Sequence, residues 1–142
     1  MAEIARVTVK IIPWESESKT LACIRREVFI DEQGVPEELE WDAQDQTAIH
    51  FLARLKNGRA VATARLQLDG KVGRMAVLKP WRRRGVGSAM MERVIREAAR
   101  RKMRPHLHAQ HSAIGFYRRF GFAVVGEPFD EAGIAHVRMR LV

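Results

Sequence analysis

From Arg74 to Ser88 the chain reads R-M-A-V-L-K-P-W-R-R-R-G-V-G-S, and no other stretch limits the fold as much. Val72 to Leu78 has the composition of a strand. Val86 to Lys102 carries Val86, Met90, Val94 and Ala98 at i+4 spacing, with Met91, Ile95 and Ala99 beside them, which predicts an amphipathic helix. Gly85 and Gly87 lie where the loop opens that helix. The first amides of a helix lack intrahelical acceptors, and the macrodipole adds partial positive charge there. Glycines let an anion approach this backbone without a Cβ in the way, so strand, glycine loop and helix form a ready phosphate site. Arg82, Arg83 and Arg84 add positive charge. No Gly-Lys-Ser/Thr follows, so this is not a P-loop; Met90 stands where a dinucleotide fingerprint needs its third glycine. Taken alone, the stretch also fits a solvated basic turn before an ordinary helix.

The flanking elements predict a sheet around this unit. Val7, Val9 and Ile11 alternate with polar residues up to Pro13. Ser18 is a candidate cap for a helix through Leu21, Ile24, Val28 and Phe29, which Gly34 and Pro36 end. His50–Leu55 and Ala60–Leu68 read as strands joined at Asn57-Gly58, a strong hairpin signal, and Asp69-Gly70 turns into the Val72 strand. Within the long helix, Glu92 and Arg96, and Glu97 and Arg101, are spaced as ion pairs. After Pro105, His106–Ala109 predicts a short strand and Ser112–Phe120 a helix stopped by Gly121. Phe122–Val125 and His136–Val142 are closing strands. The order is that of an α/β (α+β) single domain spanning residues 1–142, with helices on the faces of a mixed sheet.

Charge and cysteine usage narrow the function classes. Lys and Arg number 25 against 17 Asp and Glu, a net of +8, which attracts anions such as nucleic acid, membranes or phosphorylated ligands. The charge is segregated: Glu27 to Asp45 holds eight acids, whereas the bases crowd Lys79 to Arg104 with only Glu92 and Glu97 between them. The acidic stretch reads as a solvated charged face whose acids could also attract a cationic amine. One cysteine, Cys23, excludes an internal disulfide and fits a reducing, cytoplasmic setting. No run approaches the roughly 18 apolar residues of a membrane span. The basic cluster lacks interleaved aromatics apart from Trp81, and no nucleic-acid-binding signature is present, so neither nucleic acid nor membrane is the expected partner.

Two landmarks together resemble one family. Arg82-x-x-Gly85-x-Gly87 is similar to the Gln/Arg-x-x-Gly-x-Gly/Ala signature of the GNAT (GCN5-related) N-acetyltransferases. Gln110-His-Ser-Ala113-Ile-Gly-Phe116-Tyr117-Arg-Arg-Phe-Gly121-Phe122 resembles that family's second landmark, with Gln110 in place of its asparagine. Pro80 comes one residue later than the family's common proline, leaving Lys79 there. The resemblance implies an acyl-CoA N-acyltransferase fold: a mostly antiparallel sheet of about six or seven strands with about four helices. It implies that the amides of Arg83, Arg84, Gly85, Val86, Gly87 and Ser88 hold the coenzyme A pyrophosphate. It also implies that Met75, Ala76 and Val77 pair with the pantetheine arm, and that Gln110 and Phe116 line its path. Acetyl-CoA is then the acyl donor, an amine of unknown identity the acceptor, and no metal is needed. Homodimers are common in such a family. A non-catalytic coenzyme A sensor has the same landmarks.

The reaction these landmarks imply needs an acid and a base. Tyr117 is the candidate acid: a phenol can protonate a departing thiolate and recover the proton from water. His136, His50, Glu32 and Asp42 are candidate bases for the acceptor ammonium. The unperturbed pKa of a histidine suits a base near neutral pH, and the tail Gly133-Ile-Ala-His136-Val-Arg-Met resembles a branch of the family in which a histidine here is the base. Arg26 to Pro36 would form the acceptor side. The competing reading is a metal-dependent hydrolase, since His106-Leu-His108-Ala-Gln-His111 is similar to a His-x-His-x-Asp-His metal motif without its aspartate.

Overall fold

The structure, a computed structural model, describes residues 3–142. Seven strands form one mixed sheet in the order β1-β2-β3-β4-β5-β7-β6. They are β1 (Val7–Ile12), β2 (Ile49–Leu55), β3 (Ala60–Leu66), β4 (Lys71–Val77), β5 (His106–Gln110), β6 (Phe122–Glu131) and β7 (Ile134–Leu141). Neighbouring pairs are antiparallel except β4 and β5. The helices are α1 (Trp14–Arg25), α2 (Glu37–Glu40), α3 (Val86–Arg100) and α4 (Ile114–Arg118). Among the described residues, no helix is long and apolar enough to cross a membrane.

The two faces of the sheet carry separate apolar layers. Val86, Met90, Met91, Val94 and Ala98 of α3 pack with Phe51, Ala53, Ala62, Ala64 and Leu107. Leu21, Ile24 and Val28 cover the other face over Leu52, Ala76 and Leu78. Burying each large side chain of this kind stabilises the fold by about 1.5–3 kcal/mol.

Several elements depart from the sequence expectation for local reasons. α1 begins at Trp14 directly after Pro13, whose fixed φ of −72° suits a helix entrance, so Ser18 lies inside the helix and caps nothing. The chain stays helical beyond α1 as a π-helical turn over Arg26–Glu32, and Gly34 at φ +72° ends it. The 111–118 segment is a 3-10 turn leading into a short α4. β6 runs well past Val125. A bulge between Val125 and Phe129 absorbs Gly126 and Pro128, and a tight turn through Ala132 and Gly133, both at positive φ, returns the chain into β7.

On α3, Glu92 and Arg96 are both exposed and form no ion pair among the described residues, whereas Glu97 is buried and collects Arg93, Arg100 and Arg101. Hydrogen bonds from Arg100 and Arg101 lead in holding the Glu97 carboxyl down at about 2 against its ordinary 4.5. A carboxylate whose pKa is depressed on folding stabilises above its unfolded pKa and loses that contribution as pH falls toward its folded one. Glu97→Gln should therefore lower the thermal midpoint at pH 7, with the gap to wild type closing between about pH 4.5 and 2. Circular-dichroism melts across that window check it; a gap that stays constant with pH would refute the assignment.

Candidate active site

β4 and β5 part company early. They pair only at Lys71 with His106 and Val72 with Leu107. Beyond that point β4 stays on β3, and β5 stays on β7 through all five of its residues. Alternate N–H and C=O groups of β4 after Val72 therefore face a cleft with no strand partner, which is the edge an extended ligand can join. Between the Thr63–Ala76 and Arg65–Gly73 pairs, one residue of β3, Ala64, opposes two of β4, Arg74 and Met75. The extra residue is accommodated with Arg74 at φ +49°. Its guanidinium reaches away from the sheet to the Glu40 carbonyl at 3.0 Å, the Glu40 carboxylate at 3.1 Å and Asp42 at 3.2 Å.

The glycine loop stands at the end of this cleft. A Cβ on Gly87 would lie 3.5 Å from the Phe116 ring and 3.9 Å from Val77, so the first turn of α3 sits between the end of β4 and α4. Arg83 at φ +60° and Gly85 at φ +83° curl the loop. Among the described residues, none of the amides from Arg83 to Ser88 finds a backbone acceptor. Curled, unpaired amides at a helix start make an anion-binding concavity. The three arginines are unequal. Arg82 donates to the Val77 carbonyl at 2.9 Å and forks onto Glu32 at 2.5 and 2.7 Å. Arg84 stacks over Trp81 at 4.6 Å and donates to the Glu3 carbonyl at 3.0 Å. Arg83 alone of the three has no protein partner among the described residues. Two of the expected charges thus brace the loop.

A cavity of about 590 Å³ adjoins the cleft. Tyr117, Gln110, Met75 and His136 line it, opposite Arg65, Arg74, Glu40 and Asp42. The Tyr117 ring is wedged edge-on between Phe116, at 5.2 Å, and Phe122, at 5.9 Å. Burial pushes its phenol up to about 12. Gln110 donates to Gln33 at 2.9 Å, tying the end of β5 to the segment after α1. His136, buried at the start of β7, has Nδ1 2.7 Å from the Ile134 carbonyl. A carbonyl only accepts, so Nδ1 carries the hydrogen and Nε2 of the neutral ring is a lone pair.

The other candidate bases are spoken for. His50 is buried against Trp14, with Nε2 2.8 Å from the Asp45 carbonyl, and burial lowers its pKa. It does not line the cavity. Glu32 is held by Arg82, whose hydrogen bonds keep its pKa low. Asp42 lines the cavity but accepts from Arg65 at 2.7 Å. The acidic stretch is not a solvated face throughout: Glu40 and Asp45 are buried on Arg25 and Arg65. His106, His108 and His111 do not converge, and among the described residues no group of three or more His, Cys, Asp or Glu could hold a metal ion. His108 instead meets Glu131 at 2.8 Å. Glu131 and Lys71 also line the cavity and escaped the sequence reading. Strand alternation from Phe129 would have flagged Glu131 had β6 been drawn through Gly126 and Pro128.

A sheet splayed between two parallel strands, with a glycine-looped helix at its opening, defines an acyl-CoA N-acyltransferase architecture. Residues 11–142 match the Acetyltransferase (GNAT) domain. The chain is 34% identical over 130 residues to the uncharacterized N-acetyltransferase YjcF of Bacillus subtilis, covering 88% of this chain and 92% of that one. The crystal structure of an acyl-CoA N-acyltransferase from Pseudomonas aeruginosa aligns with a TM-score of 0.83 at 30% identity, covering 97% and 99% of the two chains. That of Escherichia coli ElaA aligns at 0.86 and 26%, covering 96% and 100%. The chain belongs to the GNAT family of acetyl-CoA-dependent acyltransferases.

Proposed function

We propose that this protein transfers the acetyl group of acetyl-CoA to an amine of a small molecule, by direct attack with both substrates bound. One observation carries this reading: the open edge of β4 leads from the unpaired amides of the glycine loop to a cavity lined by His136 and Tyr117. Amides from Arg83 to Ser88, with the Arg83 charge, would hold the pyrophosphate, and the backbone of Met75, Ala76 and Val77 would pair with the pantetheine arm. A cavity of this volume suits a small acceptor.

An alkylammonium gives one proton to His136 Nε2, and its freed lone pair attacks the acetyl carbonyl carbon. The new C–N bond forms, the C–S bond breaks, and the thiolate takes a proton from Tyr117. The nitrogen loses its second proton to solvent, from which the tyrosinate is reprotonated. Calorimetric titration with acetyl-CoA should show micromolar binding at one site per chain, and thiol release on adding amines should follow; no binding at millimolar acetyl-CoA would end the reading. His136→Ala should flatten the acidic limb of the pH–rate profile while acetyl-CoA binding persists. An intact limb would clear His136.

A further inference from the structure

We propose that Glu131 and His136 together form the seat for the acceptor's cationic amine, an alkylammonium group, with His108 holding the carboxylate in place. This rests on the reading of His136 as the base. Phe129 and Glu131 share one face of β6, and Phe129 lies opposite His136 of β7. The Phe129 ring stacks on His136 at 5.9 Å and takes His108 edge-on at 5.0 Å. Glu131 reaches past that ring to both imidazoles. Its Oε1 lies 2.8 Å from His108 Nδ1, and its Oε2 lies 3.7 Å from His136 Nε2.

With Nδ1 committed to the Ile134 carbonyl, the neutral His136 presents a lone pair toward a carboxylate oxygen. Two acceptors that face each other call for a donor between them. A nitrogen about 2.9 Å from each fits, because two such bonds span more than the 3.7 Å gap. An alkylammonium supplies it: one N–H to Glu131, one to His136. After the proton passes to His136, the amine keeps its bond to Glu131 and has its lone pair free for the acetyl carbon.

The charges around the cavity single out this carboxylate. Glu40 and Asp42, the other acids lining it, are matched by Arg25, Arg65 and Arg74. Glu131 is faced by His108 of β5, His136 of β7 and Lys71 of β4, and by no arginine among its ion pairs. Burial works to raise its pKa, but the His108 hydrogen bond leads the effects that outweigh it, so the carboxylate stands ionised. The seat therefore favours amines that are charged in solution over weakly basic ones such as anilines.

The test needs no knowledge of the natural acceptor. His136 imidazole resonances are followed by NMR in the wild type and in Glu131→Gln during titration with n-butylammonium chloride, with 1-butanol in matched salt as the neutral probe. A saturable shift with n-butylammonium and none with 1-butanol is expected, together with about a tenfold weaker apparent Kd in Glu131→Gln. Unchanged affinity in the variant, equal binding of 1-butanol, or no saturable shift in the wild type overturns the proposal. Where amines are acetylated, Glu131→Gln should raise the amine KM and leave the Kd for acetyl-CoA unchanged. A saturable shift without any thiol release would sink the transfer reading and leave the seat standing.

Discussion

Tyr117→Phe should lower kcat by about 10²- to 10³-fold with little change in the KM for acetyl-CoA, as expected for removal of a general acid. The substitution deletes one oxygen and keeps the ring, which Phe116 and Phe122 hold edge-on. The packing of α4 and the thermal midpoint should therefore stay as they are. Among the described residues no hydrogen bond perturbs the hydroxyl, only burial, and Tyr117 lines the cavity, so the oxygen does no evident structural work. A phenol raised to about 12 is a weaker acid than a free one, whose pKa is near 10, and a thiol ionises near 8.5 in water. A thiolate leaving into the same desolvated site would be disfavoured as well, so both acids would rise together and the proton could still pass. A phenol at about 12 also stays protonated throughout physiological pH, so no basic limb below about pH 10 should come from Tyr117. Steady-state kinetics with varied acetyl-CoA separate the two parameters. An unchanged kcat would remove Tyr117 from the chemistry and leave it a packing residue.

The parts of this fold legible in the sequence are those fixed locally. Gly85 and Gly87 before an i+4 apolar ladder mark the loop and α3, and Asn57-Gly58 marks the turn between β2 and β3. What escaped depends on partners remote in sequence. The bulge at Arg74 sends its guanidinium to Glu40 and Asp42, more than 30 residues away. The splay of β4 from β5 is a pairing that stops after two residues, and no composition signals where pairing stops. Three adjacent arginines look equivalent in a string. Only the fold assigns Arg82 to Glu32 and Arg84 to Trp81, and leaves Arg83 without a partner among the described residues. His50 and His136 are likewise one residue type in two environments, one locked behind α1 and one at the cavity wall.

Arg25→Ala should destabilise the protein by about 3–5 kcal/mol, a large share of the 5–15 kcal/mol that holds a domain together. Arg25 is 1% exposed, inside the last turn of α1. Nε donates to Glu40 at 2.8 Å, one Nη to Asp45 at 2.7 Å and the other to the Glu40 carbonyl at 3.0 Å. The guanidinium also lies over the rings of Trp14 and Trp41, at 5.7 and 5.1 Å. Ion pairs buried this deeply gain little net stability over apolar packing, because desolvation consumes the Coulombic gain. Burial indeed pushes the Glu40 carboxyl up and the Arg74 guanidinium down, against the charges around them. Removing one partner is a different matter. Arg65 and Arg74 remain, but the Glu40 and Asp45 oxygens that Arg25 satisfies would face a void. Its neighbour Arg26 is the control, since its pair with Glu37 is solvent-exposed and Arg26→Ala should leave the midpoint unchanged. Urea denaturation of both variants decides the point. A loss at Arg25 no larger than at Arg26 would show that α1 and α2 are held by their apolar contacts alone. The predicted loss would instead make this network the clamp on the wall that carries Glu40, Asp42 and Gln33, and acceptor binding should then fail at temperatures below global unfolding.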